Sequence, residues 1–167
     1  MEFTLFYEGI LKSGSNADAK DKHLIRKYFH KQLKVLWSEP PLKGLKDYQL
    51  LETTPVGYEK EFCFEHKFGN FQFVPLIREN LDLIAEIDII LLTSEPLGAI
   101  VNNYGDIDNR LKTLFDGLRC PSQQGEIKDQ EPDDDEKPFF CLLEDDKLIT
   151  KVSVTTKRLL GSDIKKD

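Results

Sequence analysis

The chain has 167 residues, of which 40% are hydrophobic and 10% are aromatic. This length and composition suit one globular domain and exclude wholesale disorder. The net charge of -7 argues at first against a nucleic-acid partner. However, residues 126–136 hold seven acidic residues and one lysine, a net -6, so the remainder of the chain carries only -1. Net charge therefore does not decide whether the partner is a nucleic acid.

Three features of the sequence bear on the cellular compartment, namely its apolar runs, its first residues and its cysteines. It contains no run of roughly 18 apolar residues that could span a bilayer, and residues 1–15 do not have the pattern of a signal peptide. The cysteines Cys63, Cys120 and Cys141 are odd in number, widely spaced and without a CxxC pair, which favours neither a disulfide framework nor a zinc site. We expect a cytoplasmic protein with no membrane segment.

The first half of the chain predicts one long helix among strands. Residues 2–8 alternate polar and apolar side chains and predict a strand. Helical spacing of apolar residues predicts a helix over about residues 18–37, which the prolines of "EPPLKG" end. Strands are then predicted at 59–66 and 71–77, joined by a turn at "KFGN", and at 85–94, where the apolar second half favours a central position in a sheet.

A second helix is predicted at 109–119, where Leu111, Leu114, Phe115 and Leu118 form one buried stripe and Asp108 is the expected N-cap. Residues 121–137 contain few apolar side chains and predict a mobile loop. Residues 138–160 predict a hairpin-like pair of strands with an acidic corner between them. The whole pattern is α+β, a small mixed β-sheet with two main helices packed on it.

Acidic residues gather around the second helix. Asp106 and Asp108 point to one side of an extended segment, and Asp108 and Lys112 are one helical turn apart. The corner "LLEDDKL" adds Glu144, Asp145 and Asp146. If these carboxylates converge, Mg²⁺ or Mn²⁺ would relieve their repulsion. The alternative is structural, with Asp108 as a cap, Asp108–Lys112 as an ordinary pair and "EDDK" as a turn.

The order of these motifs resembles the RusA family of Holliday junction resolvases. That family has a D-[LI]-D-N-x-x-K-x-x-x-D-x-L signature followed by D-D-x-x-[IV]. The chain has "DIDNRLKTLFDGL" and, after a loop, "EDDKLI", so the matching positions are Asp106, Asp108, Asn109, Lys112, Asp116, Leu118, Asp145, Asp146 and Ile149. The preceding strand "AEIDIILLTS" and the helix near the N-terminus also match the order of elements in the family.

The resemblance implies a single RusA-like domain over residues 1–167, with insertions at about 40–77 and 121–137. It implies a homodimer that cleaves branched DNA, namely Holliday junctions, with Mg²⁺ or Mn²⁺ as the cofactor. The catalytic residues would be Asp106, Asp108, Lys112 and Asp146, and the metal ligands Asp106, Asp108, Asp145 and Asp146. The competing hypothesis is a non-catalytic relative that binds a nucleic acid or a protein partner.

The first helix carries the cations predicted to contact DNA, namely Lys22, Arg26, Lys27, Lys31 and Lys34. An ordinary solvated helix face is the alternative interpretation. His23 and His30 are seven residues apart and are predicted to lie on the surface or near DNA rather than to bind metal. The acidic stretch 126–136 would repel phosphates, and we expect the segment 123–136 to be removable without unfolding the domain.

Overall fold

The computed structural model describes residues 1–14, 16–44, 66–93 and 107–160. Its helices are α1 (Ala19–Leu36) and α2 (Ile107–Leu118). Its strands are β1 (His66–Phe68), β2 (Phe71–Ile77), β3 (Ala85–Thr93), β4 (Phe139–Leu143) and β5 (Ile149–Arg158). The α+β class is confirmed. Strand β2 lies between β1, which is antiparallel to it, and β4, which is parallel, so this sheet is mixed.

Helix α1 begins where the sequence supplies a cap. The Asp18 side chain accepts a hydrogen bond from the Asp21 N–H, and the Asp21 side chain accepts one from the Asp18 N–H, which forms a capping box. The helix ends at Leu36, shortly before Pro40 and Pro41. Both boundaries agree with the predicted helix.

The strand predicted at residues 2–8 is wrong, because these residues form no strand in the described structure. The alternation does place Leu5 and Tyr7 against the core. Instead of a neighbouring strand, the Gln32 side chain of α1 binds the Phe6 backbone: the Phe6 N–H donates to Gln32 Oε1 (2.9 Å) and Gln32 Nε2 donates to the Phe6 carbonyl (2.6 Å). A side-chain amide therefore satisfies the backbone groups that a strand partner would have satisfied.

The hairpin predicted after residue 138 is also wrong. Strand β4 pairs in parallel with β2, whereas β5 pairs in parallel with β3 in a separate two-stranded sheet. Two chain segments, 71–93 and 139–158, thus run side by side through both sheets and turn together between them. At that turn the Glu144 N–H donates to the Ile77 carbonyl, which joins the two corners.

Strand β3 is not central among the described residues. Its only described partner is β5, and Ile90 and Leu92 are 59% and 51% exposed. Strand β4 is the buried one, since all five of its residues are buried, as its continuous apolar run "FFCLL" would favour. Residues 59–65 of the strand predicted at 59–66 lie outside the described residues. The turn at "KFGN" is confirmed, with Gly69 at φ +56°.

The two helices pack closely at Gly117. A Cβ atom at this position would lie 2.4 Å from Ile25 Cγ2, a distance that no side chain could accommodate without movement. The predicted stripe of α2 is confirmed, because Leu114 and Leu118 are buried and Leu111 and Phe115 pack against the same core. Within the described ranges, no helix is both long and apolar enough to cross a membrane.

Candidate functional site

Helix α2 carries the first group of predicted site residues. Asp106 lies outside the described residues. Asp108 is exposed within the first turn of α2, so it is a helical residue and not the expected N-cap. A carboxylate in the first turn still interacts favourably with the positive end of the helix dipole. Lys112 follows one turn later and is exposed, so both side chains are accessible to a ligand.

The corner between β4 and β5 carries the second group. The Glu144 carboxylate accepts a hydrogen bond from the Glu79 N–H (2.9 Å), and the Asp145 carboxylate accepts one from the Lys147 N–H (2.9 Å). Asp145 thereby caps the short 3₁₀ turn Asp146–Leu148. Asp145 therefore caps the turn and Glu144 ties it to the segment at Glu79, although the turn does not join a hairpin. Asp146 projects from the turn as an exposed residue.

Asp146 lies in a locally acidic environment. Partial burial raises its pKa above the ordinary value, and the hydrogen-bonded Asp145 carboxyl raises it further. Asp116 acts in the same direction, whereas Arg119 opposes the shift. Neighbouring carboxyl groups that disfavour each other's charged form are the arrangement that an added cation relieves, because the cation stabilises the charged forms.

Of the predicted metal ligands, the structure describes Asp108, Asp145 and Asp146, and it does not gather these three into one group. Asp145 and Asp146 are adjacent, and Asp116 of α2 is close enough to act on Asp146 electrostatically. Over residues 1–14, 16–44, 66–93 and 107–160, no group of three or more His, Cys, Asp and Glu side chains could hold a metal ion. With Asp106 outside these ranges, the full ligand set of Asp106, Asp108, Asp145 and Asp146 stays a prediction.

Comparison with known proteins adds no relative. No protein-family model matches the chain, and no curated protein and no solved structure matches it.

Arg26 does not lie on the surface predicted to contact DNA. Its side chain is 1% exposed and donates hydrogen bonds to the carbonyls of Asp116 (2.7 Å) and Arg119 (2.9 Å). These carbonyls are at the end of α2, where the last turn of a helix lacks internal partners. Arg26 is therefore a buried cap that joins α1 to α2, and the DNA contact predicted for it is wrong in this conformation.

Three of the other predicted DNA contacts are occupied within the chain. Lys22 forms an ion pair with Asp116 (2.8 Å), Lys27 pairs with Glu136 (3.0 Å) and Asp133 (3.3 Å), and Lys34 donates to the Asp135 carbonyl (2.8 Å). Lys31 is exposed. The lysines are thus on the outside of α1, as predicted, but acidic segments of the same chain lie against most of them.

The acidic stretch 126–136, which we call the acidic strap, is not the loop that the sequence predicted. It contains a 3₁₀ turn at Asp134–Glu136 and part of another at Gln124–Ile127. Ile127 is 4% exposed and packs in an apolar cluster with Phe71 and Phe139. The segment 123–136 thus contributes a side chain to the core, contrary to the premise on which it was expected to be removable, and its removal would uncover this cluster.

His23 and His30 are buried, contrary to the predicted surface position, and each is 1% exposed. His30 Nδ1 accepts a hydrogen bond from the Phe140 N–H, so Nε2 carries the proton that it donates to the Asp135 carbonyl (3.1 Å). His23 stacks on Phe139, and its Nδ1 contacts Arg26 (3.3 Å). Burial is the main cause that lowers the pKa of His23, to about 3.

A signal for this buried polar stripe was present in the sequence. His23, Arg26, His30, Leu33 and Trp37 alternate spacings of three and four residues, which is the periodicity of one helix face. All five are buried. The apolar residues alone defined a neighbouring stripe, so the polar residues within the buried face were assigned to the surface.

Proposed function

We propose that the chain is a metal-dependent endonuclease of the RusA type that cleaves branched DNA. The observation that carries this proposal is the Asp145–Asp146 carboxyl pair at the β4–β5 corner, where partial burial and then the hydrogen-bonded Asp145 carboxyl raise the pKa of Asp146. It coincides with the second signature of the resemblance, and the helix bearing the first signature, α2, supplies the nearby Asp116. This combination distinguishes the corner from an ordinary turn.

The residues available suit a hard divalent cation. Carboxylate oxygens are preferred by Mg²⁺ and Mn²⁺, and Asp146 with Asp145, Asp106 and Asp108 would hold such an ion. When bound, the ion would polarise the phosphodiester and lower the pKa of water. Lys112 would contribute positive charge to the phosphate as negative charge develops on it. Asp116 would remain the ion-pair partner of Lys22 and Arg119 rather than a ligand.

Branched DNA sets a further requirement. Resolution of a four-way junction needs two symmetric cuts, so we propose that two copies of the chain act together about a two-fold axis. A homodimer would present two corners with the same orientation relative to the two cleaved strands. The oligomeric state in solution, measured by light scattering with and without a synthetic junction, tests this part separately.

The test of catalysis is a cleavage assay. Purified protein is incubated with a labelled four-way junction, a duplex and a single strand, with and without Mg²⁺. We expect cutting of the junction that requires Mg²⁺, its loss in Asp146→Asn, and unchanged or tighter junction binding by that variant. The matched control is Asp82→Asn, because Asp82 is an exposed acid at φ 52°, a conformation that asparagine tolerates.

A second candidate function is supported by a specific observation. The Glu144 and Asp145 carboxylates already cap backbone groups, which is sufficient reason for their presence. A non-catalytic module that binds a nucleic acid or a protein partner would keep these caps and need no metal. Junction binding by the wild type without cleavage in either Mg²⁺ or Mn²⁺ would favour this candidate and end the proposal of catalysis.

A further inference from the structure

The acidic strap lies along the lysine-bearing side of α1. Lys27 contacts Glu136 and Asp133 through its ammonium group, at 3.0 and 3.3 Å. Lys34, which lies two helical turns after Lys27, donates a hydrogen bond to the Asp135 carbonyl. Lys27, Lys31 and Lys34 follow i, i+4, i+7 spacing and so form one row. The strap therefore places carboxylates beside Lys27 and Lys31 and a backbone carbonyl against Lys34.

The strap has two kinds of acidic residue, and they differ in burial. The Glu136 side chain is only 5% exposed, and it accepts a hydrogen bond from the Asp133 N–H. Glu136 is therefore a structural residue of the strap. The Asp133 side chain is 73% exposed, and Asp135 is also exposed. Exposed carboxylates contribute little packing. Their placement beside lysines therefore affects the surface potential more than it affects stability.

Two grooves border the strap, and two exposed acids of the strap line each of them, while the exposed Asp134 lines neither. Asp133 and Asp135 line a groove of about 310 Å³ together with Lys27 and Lys31 of α1. Asp129 and Glu131 line another, of about 460 Å³, on the side of the β1–β2 turn. The first pair is positioned to compete for the lysines, and the second pair is not. The chain thus contains its own matched control for any effect of charge.

We propose that the acidic strap competes in cis with nucleic-acid phosphates for the Lys27, Lys31 and Lys34 row, and so restrains binding. This inference rests on the proposed function, because it assumes a DNA ligand. Asp133 and Asp135 occupy the side of the row where backbone phosphates would lie, so a DNA strand must displace them or bind against their repulsion. Regulation would follow from anything that moves the strap away from α1.

The test compares two double variants of equal net charge. Asp133→Asn/Asp135→Asn neutralises the groove beside α1, and Asp129→Asn/Glu131→Gln neutralises the other groove. We expect the first variant to bind a labelled junction about ten-fold more tightly than the wild type at low salt, with the gain shrinking as salt increases. The control should gain no more than about two-fold, since its charges are further from the lysine row.

A second readout does not involve DNA. Lysine modification by an amine-reactive reagent, followed by mass spectrometry, measures the reactivity of each lysine, which increases with the accessibility of its Nζ atom and with the fraction of the amine that is neutral. Lys27 should react faster in Asp133→Asn/Asp135→Asn than in the control, because loss of the Asp133 charge lowers the pKa of Lys27, although the remaining contact with Glu136 keeps the increase modest. Lys31, which is already exposed, should change little. The folded state of both variants is checked by thermal unfolding, which should be nearly unchanged because the substituted side chains are exposed.

The outcomes separate this inference from the proposed function. Equal tightening by both variants would overturn the competition, because only net charge would then matter. Unchanged Lys27 reactivity would overturn it as well. If Lys27 becomes more reactive in the first variant but neither the wild type nor that variant binds any nucleic acid, the DNA ligand fails and the competition with it, while the contact of Lys27 with the strap stands. Selective tightening together with increased Lys27 reactivity supports the proposal.

Discussion

The acidic strap and the β4–β5 corner are both rich in carboxylates, but their charges are balanced in different ways. In the strap and the adjoining end of α2, acids meet cations of the same chain: Glu136 meets Lys27, and Glu126 meets Arg119. The Ser122 and Arg119 contacts overcome the effect of burial and hold the pKa of Glu126 below its ordinary value. At the corner, Asp146 meets another carboxyl, and its pKa lies above the ordinary value.

The difference separates structural acids from candidate ligand-binding acids. A carboxylate paired with an internal cation is stabilised in its charged form and has little to gain from an added metal ion. A carboxylate next to another carboxylate is destabilised when charged, and an added cation removes that cost. Whether an acidic residue is a candidate metal ligand therefore depends on the sign of the neighbouring charges more than on the number of acids in its segment. The following substitutions test this distinction.

The largest effect on the free energy of unfolding is expected from Arg26→Met, which removes a cation from the region where acids are paired with cations. The variant leaves the Asp116 and Arg119 carbonyls without their donor and Glu126 without the buried guanidinium 3.6 Å away. Loss of one partner from a buried charged network costs about 3–5 kcal/mol. Urea unfolding measures the change. Lys31→Met is the control on the same helix and should shift stability by less than about 0.5 kcal/mol; equal losses in the two variants would contradict the buried-cap assignment.

At mildly acidic pH, about pH 5, an intermediate effect is expected through His23. Its pKa in the folded protein is about 3, against about 6.5 in an unfolded chain. The unfolded state therefore binds the extra proton between these values, so stability is retained above about pH 6.5 and falls as the pH decreases towards 3. The slope from this residue is about 1.4 kcal/mol per pH unit.

His23→Gln removes this proton uptake and should flatten the pH dependence of the free energy of unfolding over that window. The substituted amide can still offer an oxygen to Arg26, so much of the local hydrogen bonding is kept. The measurement is urea unfolding at a series of pH values for both proteins. An identical slope in the variant would mean that His23 is not buried in its neutral form.

The smallest effect on stability is expected from Asp146→Asn, which removes a carboxylate from the β4–β5 corner. Because the folded state disfavours the charged form of Asp146, the substitution should slightly stabilise the metal-free protein at neutral pH. Millimolar Mg²⁺ should raise the unfolding temperature of the wild type, since a ligand that binds only the folded state stabilises it, and should fail to do so in the variant. Calorimetry with Ca²⁺ as a second cation checks the selectivity, and an Mg²⁺ shift retained in Asp146→Asn would remove Asp146 from the ligand set.

The elements that were predicted correctly depend on neighbours within a few residues. These are the apolar spacing of the helix over about residues 18–37, the periodicity of Leu111, Leu114 and Leu118, and the turn at residues 67–70, each of which depends on one or two turns of chain. Their structural consequences therefore follow from local sequence. The N-terminal segment shows the limit of this reasoning, because its alternation correctly placed Leu5 and Tyr7 inward but did not specify whether a strand or the Gln32 amide would complete the backbone hydrogen bonds.

By itself, the sequence determined the α+β class, the extent of both helices, and the position of an acidic corner directly after a buried strand. Tertiary structure decided which charges meet. Arg26 and Lys27 are adjacent on α1, yet one is buried as a cap for α2 and the other pairs with the strap about a hundred residues later. Likewise β4 and β5 are neighbours in the chain but belong to different sheets. Strand pairing and ion pairing join segments that are distant in the sequence. The arrangement that forms is the one that leaves few backbone groups and charges buried without a partner, because each such group costs free energy.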